Sequence, residues 1–356
     1  MRRPALRARR FVAILVLVVF AAVGCKYRVA TTAGISTSAA FGQRSAQEQE
    51  LELGRLAQTG AHWVRLDLDW DGVQSAGPNS WNWSNFDAQA RIAEGRGLEV
   101  LAVVSFSPGW ANGGHGPTTP PTDPATYGRF LAAAVARYHA GGGAGTHVRA
   151  WEIWNEPNHP PFWAGAPDAG RYVDLLRHAY FGVKSVDGDA IVVSGGMAPF
   201  GDLGTPGNYE HPVNFLQAMY FAGAAGLFDA LGDHPYAPIP YSPLTDSPGA
   251  IKWNSFLYTQ TLHDIMTAHG DGAKQIWGTE TGPATGYCGN CVSEATQKDW
   301  LAEEYVKWRS WTFTGPLFWH AGRDEATGST DSDDNFGLLH SDFSPKPAFD
   351  VAASLW

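Results

Sequence analysis

A chain of 356 residues, 44% hydrophobic and 17% charged, can bury one large core, and a single barrel of about 250 residues or more is an ordinary size. Its formal charge of −10 argues against nucleic acid or an anionic membrane surface as a partner, because both call for basic patches. The same acidity argues against a polyanionic substrate.

The N-terminus stands apart. Arg2, Arg3, Arg7, Arg9 and Arg10 precede an apolar run from Phe11 to Val23 that is too short for a typical spanning helix and has the form of a signal-peptide core. Residues 1–24 are expected to be removed on export, which would leave a still more acidic mature chain. Cys25 follows Ala22-Val23-Gly24 in an arrangement that resembles a lipobox, so a lipid anchor on the outer face of the cell membrane is expected. Plain cleavage and secretion remain the other reading, since Ala22 stands where a leucine is usual. Residues 25–30 read as a short tether, and the membrane is a partner only through the anchor.

From residue 31 strand-like and helix-like segments alternate, the pattern of a parallel α/β fold, and no linker divides them. A strand near Thr31 to Ser36 precedes a helix that opens at Ser45, with Glu48 three residues on as a capping box and Gly60 as its stop. His62 to Asp69 reads as the second strand. Ser84 is expected to cap the next helix, which runs to about Gly95, and Leu98 to Ser105 forms the third strand. Asp123-Pro124 is a cap followed by a first-turn proline, opening a helix to about His139. After a central strand come helix Asp168 to Val186, strand Ala190 to Ser194, helix Pro212 to Ala222 and strand Phe228 to His234. Helix Ile251 to His269, strand Gln275 to Glu280, helix Ser293 to Trp311 and strand Pro316 to His320 complete about eight strands. That number closes a (β/α)8 barrel, here a single domain over residues 31–356. Long connections rich in Pro, Gly and Trp follow the strands, so function is expected at their C-terminal ends.

The central strand carries Trp151-Glu152-Ile153-Trp154-Asn155-Glu156-Pro157-Asn158. Pro157 biases Glu156 towards an extended backbone, which predicts Glu156 at the very end of the strand. Alternation would put Glu152, Trp154 and Glu156 on one side, with a twist at the strand end returning Asn155 beside Glu156.

Asn155-Glu156-Pro157 resembles the acid/base signature of clan A retaining glycoside hydrolases, and the longer run is most similar to family 39 and family 5 enzymes. Arg65, His234-Pro235-Tyr236, Trp277-Gly278-Thr279-Glu280 and Phe318-Trp319 match the clan in the order it requires, across nearly all the chain after residue 30. The resemblance implies a (β/α)8 barrel with Glu156 as acid/base and Glu280 as nucleophile. It further implies Arg65 holding the nucleophile ionised, Asn155 on the sugar 2-hydroxyl, Tyr236 and His234 lining the pocket, and Trp319 as the floor under the cleaved sugar.

Glycoside cleavage needs an acid to protonate the leaving oxygen and a second carboxylate to attack carbon or activate water. Glu156, desolvated by neighbouring rings, would have its pKa raised for the first role. Glu152 belongs with an interior hydrogen-bond network, and Glu303 and Glu304 read as solvated. Among the 15 tryptophans, Trp154 and Trp319 are the first choices for stacking on sugar. Cys288 and Cys291, in an exported chain, read as a disulfide rather than a zinc half-site. The expectation is a retaining glycosidase, monomeric, without cofactor or metal, acting on an oligo- or polysaccharide. A barrel that binds carbohydrate at the cell surface but has lost turnover is the alternative.

Overall fold

The computed structural model describes residues 27–200, 211–236 and 255–356. The expected signal segment, Cys25 and the start of the helix expected at Ile251 lie outside these residues. In chain order the elements are β1 (Ala33–Ser36), α1 (Ala46–Leu56), β2 (Trp63–Asp69), α2 (Ser84–Gly95), β3 (Glu99–Ser105), α3 (Pro124–Tyr138), β4 (Ala150–Ile153) and α4 (Ala169–Val186). They continue with β5 (Ile191–Ser194), α5 (Pro212–Phe221), β6 (Ala230–Asp233), α6 (Ser255–Ala268), β7 (Gln275–Thr281), α7 (Glu294–Ser310), β8 (Thr314–His320) and α8 (Pro347–Leu355). Every strand is parallel to its neighbours, and β8 pairs back onto β1. The sheet is thus a closed (β/α)8 barrel, with no edge left to pair with another chain.

Local chemistry sets the helix ends. Ser45 accepts the Glu48 amide while Glu48 accepts the Ser45 amide, so the capping box is formed, and Gly60 turns the chain out at φ 82°. Asp123 caps α3, with Pro124 in its first turn. α2 departs from expectation: Ser84 is its first residue rather than its cap, and its hydroxyl bonds Asn82 instead.

The barrel interior has two parts. At the N-terminal ends of the strands Trp63, Leu101, Ala150, Ile191, Val193, Ala230, Trp277 and Phe318 form an apolar plug. The Phe318 ring occupies the space that a β-carbon at position 34 would need, so the facing residue is Gly34. Tyr27 and Val29 cover this plug from below, and Val29 exchanges hydrogen bonds with the Gln275 side chain at 2.8 and 2.9 Å. Residues 27–30 are therefore part of the domain rather than a free tether. Above the plug, at the C-terminal ends, the inward positions turn polar: Ser36, Arg65, Glu152, Ser194, Thr279 and His234 are all buried. The larger apolar core lies outside the strands, between them and the helices.

Candidate active site

Arg65, inward on β2, organises the polar layer. Its five N–H donors make five hydrogen bonds: two to Glu152 (2.6 and 3.2 Å), and one each to Glu280 (2.7 Å), Asn155 (2.7 Å) and Ser36 (3.2 Å). Glu152 also accepts the Gly196 amide and the Thr279 hydroxyl, so it belongs to the barrel interior as the sequence suggested. Asn155 gives its carbonyl oxygen to Arg65, and its amide nitrogen has no partner among the described residues.

Glu280, near the end of β7, accepts Arg65 on Oε1 and the Tyr236 hydroxyl on Oε2 at 2.8 Å. His234 Nδ1 and His320 Nδ1 lie 3.7 and 4.0 Å from Oε2. Burial alone would raise its pKa, but the surrounding histidines, Arg65 and the Tyr236 hydroxyl reverse that and pull it down to about 2. Burial holds His320 below the usual imidazole range, so Arg65 is the permanent positive charge beside Glu280.

Glu156 does not continue the strand. β4 stops at Ile153, and Trp154 and Glu156 both take left-handed backbone, φ 73° and 44°. The bias of Pro157 towards extended backbone is overridden by tertiary bonds. The Glu156 amide donates to Gly196 at 3.0 Å, and Asn158 and Ala198 exchange two bonds of 2.8 Å. These tie the loop after β4 to the loop after β5. The carboxylate lies between two imidazoles, with Oε1 2.9 Å from His234 Nδ1 and Oε2 3.0 Å from His159 Nδ1. Burial pushes its pKa up as expected, but the hydrogen bonds from His159 and His234 win and leave it lowered rather than raised. His234 is lowered by burial and raised more by Glu280 and Glu156, for a net rise. Facing atoms of Glu156, His234 and Glu280 all lie within 4.8 Å of one another. A cation fits that spacing, but Arg65 already neutralises Glu280 there.

The two tryptophans expected to stack on sugar do not line this site. The left-handed turn at Trp154 sends its ring outward, where it packs edge-on against Tyr127 and Trp163 and its N–H bonds the Phe162 carbonyl at 2.8 Å; the residue is 1% exposed. Trp319 is 3% exposed and faces the helix layer with Leu301, Tyr305 and Trp356. Alternation in β8, with Phe318 in the plug, makes His320 the inward residue at the strand end. Glu304 is likewise buried rather than solvated, accepting the Thr281 hydroxyl and the Trp300 N–H, and burial raises it to about 8. Cys288 and Cys291 form a disulfide in the loop after β7.

Three groups that the sequence reading did not single out join the site. His320 follows from the phase of β8. Asp67 follows from period two, because it lies on the lumenal side of β2 two residues beyond Arg65. It is half-buried, has no hydrogen-bond partner among the described residues, and is pushed by burial up to about 6. His159 sits one turn after Glu156, where no strand pattern reaches.

The fold and this polar layer define the class of architecture, a (β/α)8 barrel with two glutamates facing each other at its C-terminal mouth. Among solved structures the chain is similar to a family 39 glycoside hydrolase from the gut symbiont Bacteroides cellulosilyticus WH2 (TM-score 0.72, 24% identity, 93% of this chain and 64% of that one). It is also similar to a monomeric beta-xylosidase from Caulobacter crescentus CB15 (TM-score 0.64, 15% identity, 92% and 68%). A third is a GH5_18 protein from Bifidobacterium longum subsp. infantis (TM-score 0.65, 14% identity, 92% and 79%). Among curated proteins it is similar to the chloroplastic beta-amylase 1 of Arabidopsis thaliana, 24% identical over 174 residues, covering 46% of this chain and 28% of that protein. The chain therefore spans less than two thirds of the length of the first of these structures and of the amylase. No family model matches it.

Proposed function

We propose that the chain is a retaining glycoside hydrolase acting on β-linked sugars, with Glu280 as nucleophile and Glu156 as acid and base. The observation that carries this reading is the approach of the two carboxylates, whose facing oxygens lie within 4.8 Å. Oxygens that close suit the carboxyl spacing of about 5–5.5 Å in retaining enzymes better than the spacing of about 6.5–9.5 Å that leaves room for a water in inverting ones. Glu280 attacks the anomeric carbon as the glycosidic C–O bond breaks and the leaving oxygen takes a proton from Glu156. Water then attacks the same carbon, its proton passes to Glu156, and the glycosyl ester opens to return the Glu280 carboxylate.

The first step needs a proton on Glu156 although its pKa is lowered. The short contact to His234 supplies one: a carboxylate beside an imidazolium holds the same proton count as a carboxylic acid beside a neutral imidazole. The Asn155 amide is the donor for a sugar 2-hydroxyl, and Asp67 is an acceptor for another hydroxyl. Three carboxylates around the site favour neutral sugars over uronic acids, which agrees with the β-xylosidase among the similar structures. We further read the chain as exported and held at the membrane through Cys25.

A panel of aryl β-glycosides and neutral polysaccharides tests this. Turnover that retains the substrate's anomer in the first-formed product, and that Glu280→Gln abolishes, is expected. Release of the opposite anomer would reverse the role given to Glu280. Sugar binding without any turnover would favour a carbohydrate-binding barrel instead.

A further inference from the structure

We propose that His159 is a positioning residue for Glu156, holding carboxylate oxygen Oε2 and setting the pH range over which that carboxyl keeps its proton. The two imidazoles on Glu156 differ in place. His234 is fully buried, and a β-carbon on Gly196 would collide with its ring, so it is fixed on the closed side of the site. The His159 side chain is 21% exposed and covers the other oxygen from the open side. Its backbone is pinned: its amide donates to the Glu156 carbonyl, and its carbonyl accepts the Phe162 and Trp163 amides, all at 2.9–3.0 Å. Its ring lies 4.4 Å from that of Phe200, on the loop after β5. Backbone and ring contacts therefore aim Nδ1 at Oε2 without help from a ligand.

This arrangement favours the ionised acid. An Nδ1–H donated to a carboxylate is a charge-assisted bond, and protonating the carboxylate weakens it. The other charged or titratable groups that face Glu156 are His234 at the end of β6 and Glu280 on β7, with Arg65 and His320 behind Glu280. His234, Arg65 and His320 all act on Glu280 as well, whereas His159 bonds the acid/base alone.

The inference rests on reading Glu156 as the acid/base, and its test has one arm that needs no turnover. In His159→Ala the carboxyl of Glu156, followed by carbon-13 NMR of labelled glutamate, is expected to titrate about one to two pH units higher, a ten- to hundredfold rise in proton affinity. The alkaline limb of kcat/KM should move up by the same interval. His159→Asn, whose amide puts a donor near the place of Nδ1, should return both readings towards the wild type. An unshifted Glu156 titration in a folded His159→Ala protein overturns the inference, as does an Asn variant that behaves like Ala. A protein that hydrolyses no glycoside but shows the NMR shift leaves His159 with this role and removes the glycosidase reading alone.

Discussion

Tyr236→Phe removes one hydroxyl and leaves the ring, so it isolates the bond that Tyr236 donates to Glu280 at 2.8 Å. A hydrogen bond to a charged acceptor contributes about 1.5–3 kcal/mol, and each pKa unit corresponds to about 1.4 kcal/mol. The variant should therefore raise Glu280 by about one to two units from its starting value of about 2, with Arg65 and His234 still in place. On the proposed mechanism Glu280 must be ionised to attack, so activity is lost as pH falls through its pKa, and raising that pKa moves the acid limb upward. The measurement is kcat/KM from about pH 3 to about pH 8 on one aryl glycoside. Wild type should stay flat at the acid end where the protein remains folded, while the variant falls away from about pH 4 downward. Superimposable profiles would refute the claim that Tyr236 holds the nucleophile ionised.

Glu304→Gln tests a different carboxyl. A buried acid raised from 4.5 to about 8 stabilises the fold below the unfolded pKa, and that stability is lost as pH rises through the folded one. Melting temperatures of the wild type should decline between about pH 5 and 8, and the glutamine variant should flatten the decline; equal slopes would show that Glu304 does not carry it. Trp319→Ala empties a packed position outside the barrel and should lower unfolding stability by about 3–5 kcal/mol in a denaturant titration. Reducing the substitution to Trp319→Phe should leave KM unchanged, since the ring does not line the site. Cys25→Ala should release the protein from the membrane fraction into the medium, whereas a wild type found wholly in the medium would exclude the anchor.

Much of this architecture was legible because its signals are local. The Ser45 to Glu48 box, the Asp123-Pro124 start and the alternation of strands with helices each act within a few residues, and they give a closed barrel without knowledge of contacts. Glu156 and Glu280 were legible as a pair from a resemblance that spans the chain. Phase was the obstacle elsewhere. Whether Phe318 or Trp319 faces inward depends on Gly34 in a strand far away in sequence, and a one-residue slip exchanged Trp319 for His320. Trp154 failed for a related reason: alternation presumes continued strand, and the strand ends one residue earlier in a left-handed turn that bonds to Val104 and Gly196 impose. The sign of the pKa shift on Glu156 depended on His159 and His234, one from a turn and one from another strand, so burial alone gave the wrong direction.

The left-handed backbone at Glu156 bears on how this protein would drift under mutation. A non-glycine residue in that region costs about 1–3 kcal/mol, and here that cost falls on a carboxylate whose burial is offset by His159 and His234. Asparagine or glycine would relieve that backbone cost but give up the two imidazole bonds. In a library screened only for survival on heating, position 156 should be open to change, and on the proposed mechanism such clones would have lost turnover. Selection for heat resistance and selection for turnover therefore pull in opposite directions at this one dihedral angle, and the persistence of glutamate there across propagated variants would itself report that something downstream still demands chemistry.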